Sequence, residues 1–198
     1  MELTAVYRIA AASVLDGMVG LTSATSGFHA TAYTRQLTLN AMRMTLAQIG
    51  TRGQRTGAKS GNAKAGYEAL TAMYVERVQP YQAMRCEPFA SEAEMLAWLA
   101  RQSGRTRATL VLADARGRQM TSEEFAAWLG ARRDSGAQQV VIAIGPADGW
   151  TDAARSEAEL LLSFGKMTLA HELARLVAAE QIYRACTILA GHPYHAGH

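Results

Sequence analysis

The chain has 198 residues, 49% of them hydrophobic and 19% charged, which suits one globular domain with a sizeable core, or one domain plus an appendage. Its net charge of +3 and pI near 9.0 are a mild basic bias, and no apolar run approaches the roughly 18–20 residues that span a bilayer. The N-terminus lacks a basic region followed by a clean apolar stretch, so no secretory signal is expected, and the isolated Cys86 and Cys186 read as reduced, buried thiols.

Residues 1–41 differ from the rest. They hold only four charges (Glu2, Arg8, Asp16, Arg35) and a small, polar stretch, Thr22 to Thr34. They read as an N-terminal extension, disordered or partly helical, ahead of a domain spanning 42–198. From Met44 a regular alternation begins. "MTLAQIG" is predicted as a strand ending at Gly50, and the loop that follows is rich in glycine and basic residues. Between Arg43 and Gly66 stand Arg43, Arg52, Arg55, Lys59 and Lys64 with no acidic residue, a pattern open to phosphate binding or to a solvated loop.

The helix "AGYEALTAMYVERV" stops before Pro80, and "AMRCEPF" reads as a strand. "SEAEMLAWLARQ" is a helix with Ser91 as N-cap and Glu94 three residues on. "RATLVLAD" is an apolar run of the buried parallel kind, followed by the helix "TSEEFAAWLGARR" capped at Thr121 or Ser122. "QQVVIAIG" is a second buried strand. The helix "TDAARSEAELLL", the short stretch "SFGKMTL" and the long helix "HELARLVAAEQIYRACTIL" complete the chain. Strand and helix alternate throughout, so the class is α/β with a mainly parallel sheet flanked by helices.

In such folds ligands bind beyond the carboxyl ends of the strands. Three ends are marked: Ala113 with Asp114, Ile144 to Trp150, and Ser163 to Leu169. No GxGxxG or Walker loop is present, and no GxSxG, HExxH or Cys/His pair of nucleophilic spacing. In the last helix His171 and Arg175 share a face, as do Glu180 and Arg184, a spacing that equally suits a surface ion pair. The terminal "GHPYHAGH" carries His192, His195 and His198, but three histidines without a nearby cysteine or acid make a poor metal site, and none is assigned.

The run from Ser163 to His198 resembles the C-terminal signature of the RlmH (YbeA-like) ribosomal RNA methyltransferases. It matches in order at Ser163, Met167, Thr168, Leu169, His171, Leu173, Arg175, Glu180, Ile182, Tyr183, Arg184, Ala185, Pro193, Tyr194 and His195. The resemblance covers about Met42 to His198. It implies a SPOUT-class sheet whose C-terminal part is threaded into a trefoil knot, against the usual rule. It further implies a cytoplasmic homodimer that uses S-adenosyl-L-methionine to methylate N3 of a pseudouridine in helix 69 of 23S rRNA on the ribosome. Cofactor contacts then fall on Ala113, Asp114, Gly145, Phe164, Gly165, Lys166, Met167, Thr168 and Leu169. His171, Arg175, Tyr194 and His195 become the catalytic candidates, with Glu180 and Arg184 beside them, and the tail closes over cofactor or base from the partner subunit. Tyr194 and His195 are the candidates for taking the proton.

Three departures from the family pattern stand out: Pro146 follows Gly145 where a second glycine is usual, Ala170 replaces a proline, and Ala196 and Gly197 stand where relatives often carry Lys or Arg. A non-catalytic RNA- or ribosome-binding relative with a decayed cofactor loop is therefore the alternative.

Overall fold

In the computed structural model, residues 42–50, 61–102, 106–146 and 148–195 are described; the extension, the basic loop after Gly50 and the last three residues lie outside them. The elements in chain order are β1 (Arg43–Ile49), α1 (Gly61–Val78), β2 (Met84–Phe89), α2 (Glu92–Arg101), β3 (Thr109–Gln119), α3 (Ser122–Asp134), β4 (Gln139–Ile144), α4 (Asp152–Glu157), β5 (Leu160–Ser163) and α5 (His171–Leu189). A single 3₁₀ turn, Pro193–His195, follows.

The five strands form one sheet in the order β2-β1-β4-β3-β5, and every pairing is parallel. Parallel strands covered on both faces should be apolar throughout, and β4 is buried at all six positions. Alternate strand residues feed two cores. Met44, Leu46, Val140 and Ile142 pack against Val78 of α1, Phe125 and Leu129 of α3, and Ala178 and Ile182 of α5. Ala47, Ile49, Leu110, Leu112, Val141 and Ala143 pack against Met95 and Leu99 of α2 and Ala154 of α4. The architecture is the expected α/β one, a parallel sheet between two helical layers.

Local signals act as the sequence suggests. Thr121 caps α3 in a full capping box with Glu124. Ser91 accepts from the Glu94 N–H at 3.2 Å, but the returning Glu94 carboxylate takes the Ala90 N–H at 2.8 Å, one residue earlier than a capping box requires.

The structure corrects three expectations. The helix expected to run to Leu162 ends at Glu157; Ala158 turns extended (φ −81°, ψ 136°), and Leu160–Ser163 joins β3 as an edge strand. Strand β3 continues past Asp114 to Gln119, with its register on β5 shifting between Ala113 and Arg118. Gly117 permits that second contact, because a Cβ there would stand 2.5 Å from the Leu161 carbonyl carbon and oxygen. Finally, Cys86 is exposed on the edge strand β2, whereas Cys186 is buried in α5. Among the described residues no helix is long and apolar enough to cross a membrane.

Candidate active site

A cleft of about 680 Å³ opens beyond the ends of β4 and β5 and beside the middle of β3. Three segments line it: Ala113 to Arg116, where the register of β3 on β5 breaks, the loop of Gly145, Pro146 and Asp148 to Trp150, and the loop between Phe164 and Ala170, with His171 and Ala174 of α5 as its floor. Eight of the nine expected cofactor contacts therefore share one cleft: Ala113, Asp114, Gly145, Phe164, Gly165, Met167, Thr168 and Leu169. Lys166 is the exception. It is exposed and outside the lining, although Gly165 and Met167 on either side of it line the cleft.

Each segment is fixed by its own chemistry. Asp114 accepts from the Arg116 backbone N–H at 2.9 Å and from Arg155 Nε at 2.7 Å, and its side chain is 7% exposed. Burial pushes this carboxyl up, but the backbone bond and the Arg155 and Arg116 charges outweigh it and hold the group below its ordinary value. Arg155 gains correspondingly, held charged chiefly by its bond to Asp114. The second loop folds over Trp150, whose indole N–H donates to the Ala113 carbonyl at 2.9 Å. That ring lies against Gly145 so closely that a Cβ would be 2.8 Å from Cε2. In the third loop Ser163 Oγ donates to the Gly165 carbonyl (2.9 Å) and accepts from the Gly165 N–H (3.2 Å), a turn that Gly165 enters at φ +132°.

Two departures from the family pattern find room here. Pro146 lines the cleft, and its carbonyl accepts from the Gly149 N–H at 3.0 Å, so the loop closes as a turn despite the missing donor. Ala170 adopts φ −59°, inside the range a proline ring fixes, so the chain meets α5 as a proline would direct it. Ala196 and Gly197 fall outside the described residues.

The catalytic candidates are not gathered in one place. His171 lines the cleft and its Nδ1 lies 3.1 Å from the Gly145 carbonyl oxygen, an acceptor only, so Nδ1 carries a proton and donates it. Arg175, one turn on, is buried below the floor and donates to Gln48 Oε1 of β1 at 2.5 Å. Tyr194 follows the far end of α5 but folds back on it beside Glu180 and Tyr183, nine and twelve residues from His171, or about 14–18 Å by the helix rise. There its ring packs edge-on against Tyr183 (4.7 Å between centroids) under the Arg184 guanidinium at 5.1 Å. Arg184 in turn is paired with Glu180 at 2.8 and 3.0 Å, and Tyr194 Oη lies 3.4 Å from the same carboxylate. Burial, then the Tyr74 hydroxyl and the Glu180 charge, raise the phenol above its ordinary value, which favours Tyr194 as a donor over a proton acceptor. His195 ends the 3₁₀ turn, with its side chain outside the described residues. Within one chain, then, the cleft and the tail are separate.

Two cleft residues escaped the sequence reading. Trp150 lay inside a flagged strand end but was assigned no role; an indole directly after a Gly-containing turn was the available signal. Arg155, inside the helix after the second loop, was likewise assigned no role. Its clue was an aspartate ending a buried strand, which needs a cation nearby.

A parallel α/β sheet floored by a final helix, with a ligand-sized cleft beside β3 and beyond the ends of β4 and β5, defines an α/β ligand-binding fold, and residues 58–195 match the family described as Predicted SPOUT methyltransferase. The ribosomal RNA large subunit methyltransferase H of Koribacter versatilis is 49% identical over 135 residues, covering 68% of this chain and 92% of that protein. The protein of the same name from Xanthobacter autotrophicus is 41% identical over 155 residues, covering 68% and 94%. The chain belongs to this RlmH family of SPOUT methyltransferases. Among solved structures, the SpoU methyltransferase AviRb from Streptomyces viridochromogenes in complex with AdoMet aligns at 16% identity and a TM-score of 0.44, over 73% of this chain and 58% of that one.

Proposed function

We propose that the protein transfers a methyl group from S-adenosyl-L-methionine to large-subunit ribosomal RNA, at N3 of a pseudouridine in helix 69 of the assembled ribosome. The observation that carries this reading is the single cleft uniting the three segments. Its volume lies within the roughly 300–1,000 Å³ usual for cofactor sites. Ile144, Leu162, Phe164 and Leu169 offer apolar surface suited to an adenine ring, and the loop backbones offer polar groups around them. Asp114 is already matched by Arg155 and Arg116, so it braces the loops and leaves orientation to backbone groups. When bound, the cofactor supplies an electrophilic methyl on sulfur. The protein's part is to hold that methyl in line with the target nitrogen and to exclude water.

The same reading makes the enzyme a cytoplasmic homodimer whose sheet ends in a trefoil knot, with residues 1–41 an extension to the domain at 42–198. Tyr194 packs on Glu180 and Tyr183 and stands outside the lining of the cleft that His171 floors, which supports a composite site, in which the tail of one protomer closes the cleft of its partner. Glu180, Arg184, Tyr194 and His195 of one chain then face the cofactor loops of the other, and the target base is taken out of its stack to reach them.

Calorimetry with S-adenosyl-L-methionine tests the cleft, and mixed dimers test its composite nature. Deleting Pro193 to His198 leaves a folded dimer without turnover. Mixing that deletion with a protomer whose cleft is blocked by T168W, at an exposed residue of the cleft lining, restores about a quarter to a half of the activity, as expected when one of two sites is rebuilt. No recovery on mixing, with dimers verified, would count against the composite site. The alternative, a binding protein with a decayed cofactor loop, predicts ribosome binding without cofactor binding. The closed Pro146 turn favours the enzyme.

A further inference from the structure

The buried Arg175 is a cation that the proposed mechanism does not explain. Its side chain is 7% exposed and lines no cleft, so it cannot meet an RNA phosphate without unpacking α5. Its guanidinium donates to Gln48 Oε1 at 2.5 Å, and Nη2 lies 3.0 Å from the Glu172 carboxylate. Gln48 is the penultimate residue of β1 and is in register with Ile144, the last residue of β4. Gly145 follows directly, and its carbonyl is the acceptor of the His171 ring. Arg175 and His171 are four residues apart on one helix face. Two parallel ties thus pin the first turns of α5 to adjacent strand ends, Arg175 to β1 and His171 to β4.

We infer that Arg175 is a positioning residue for the cofactor cleft: through Gln48 and Glu172 it fixes the start of α5, and so holds the His171 ring on the Gly145 carbonyl. Arg175 does not bind RNA phosphate. The balance of donors agrees with a structural tie. A bidentate phosphate site presents a guanidinium edge to solvent, whereas here the guanidinium is buried: Nη1 donates to an amide, Nη2 is ion-paired with the Glu172 carboxylate without hydrogen-bond geometry, and Nε has no acceptor. The tie also accounts for the first turn of α5 standing firm without a side-chain N-cap, since Ala170 supplies none. The link to cofactor binding rests on the proposed cleft; the link to His171 does not.

The test uses the full-length dimer and two variants, R175M and Q48M. The second keeps the Arg175–Glu172 charge pair while removing the amide acceptor, so it serves even where the loss of a buried cation impairs folding. The ¹⁵N–¹H spectrum of the imidazoles reads the tie directly. In the wild type His171 shows a slowly exchanging Nδ1–H, assigned through H171N; in both variants that signal is lost. The dissociation constant for S-adenosyl-L-methionine rises about tenfold to a hundredfold, as displaced supports do elsewhere. The slope of log ribosome affinity against log salt is unchanged, whereas loss of one phosphate contact would lower it by about 0.7 to 0.9. A retained Nδ1–H signal in Q48M, or a flattened salt slope in R175M, would overturn the inference. Should the wild type fail to bind S-adenosyl-L-methionine, the proposed function falls, and the imidazole signal in Q48M still decides the role of Arg175.

Discussion

Substituting Gly145 by alanine probes the join between two of the three cleft segments. Gly145 does not have a positive φ, so an alanine fits the backbone, and any cost must come from the space its methyl needs. That space is filled by Trp150. The new Cβ would lie 2.8 Å from Cε2, 2.9 Å from Nε1 and 3.2 Å from Cζ2. The indole cannot swing aside freely, because it is 4% exposed and its N–H is bonded to the Ala113 carbonyl. Displacing it costs the overpacking strain of a filled core, about 1–3 kcal/mol. Loss of the Trp150–Ala113 hydrogen bond adds about 1 kcal/mol within the same event. G145A should therefore unfold at lower denaturant with an unchanged m-value, and its tryptophan emission should shift to the red.

A double-mutant cycle separates this cause from others. W150F removes the colliding atoms of the larger ring, so G145A on that background should cost less than about 0.5 kcal/mol more than W150F alone. A G145A protein of wild-type stability and emission would refute the reasoning. So would a double mutant in which the two costs simply add.

G117A should be harsher, at about 3 kcal/mol or more, because its Cβ meets the Leu161 and Leu162 backbone and no side chain can yield; denaturant unfolding measures it. Asp114 makes the acid limb of stability predictable. Its carboxyl is held below its ordinary value in the folded protein, so its contribution is complete above about pH 3.9 and is lost as pH falls through the folded value. D114N should therefore lower the melting temperature at neutral pH and narrow its gap to wild type progressively in acid. Burial pushes the Cys186 thiol up to about 12; it raises the Cys86 thiol as well, but that residue is exposed on the edge strand. An aromatic disulfide reagent near pH 8 should accordingly label Cys86 in the native protein and Cys186 only on unfolding.

The elements most legible in the sequence were those whose evidence is local. Helix α5 spans His171 to Leu189 as its apolar spacing suggests, and α3 begins at Thr121 because the capping residues themselves supply the bonds. Strand β5 was not legible. "AELLL" continues the helical spacing of the segment before it, and only pairing with β3, some fifty residues earlier, makes it extended. The polar end of β3 was hidden for the same reason, since its pairing depends on Gly117 letting two backbones meet. At the site, the resemblance located the three segments, but it carried no information about which side of a turn Lys166 faces. Nor could it place Arg175 inside the protein, because charge alone at a helical spacing fits a phosphate contact, a surface pair or a buried tie equally well.

The central claim is methyl transfer to one nucleotide, and the most direct measurement is a single assay. Ribosomes from a strain lacking its own helix 69 methyltransferase are incubated with the full-length protein and S-adenosyl-L-methionine carrying a labelled methyl group. The ribosomal RNA is then digested and its nucleosides are resolved by mass spectrometry. The account predicts label in N3-methylpseudouridine, mapped to helix 69 and abolished by deleting Pro193 to His198. Label in a different nucleoside, or none while ribosomes and cofactor are both bound, would contradict it.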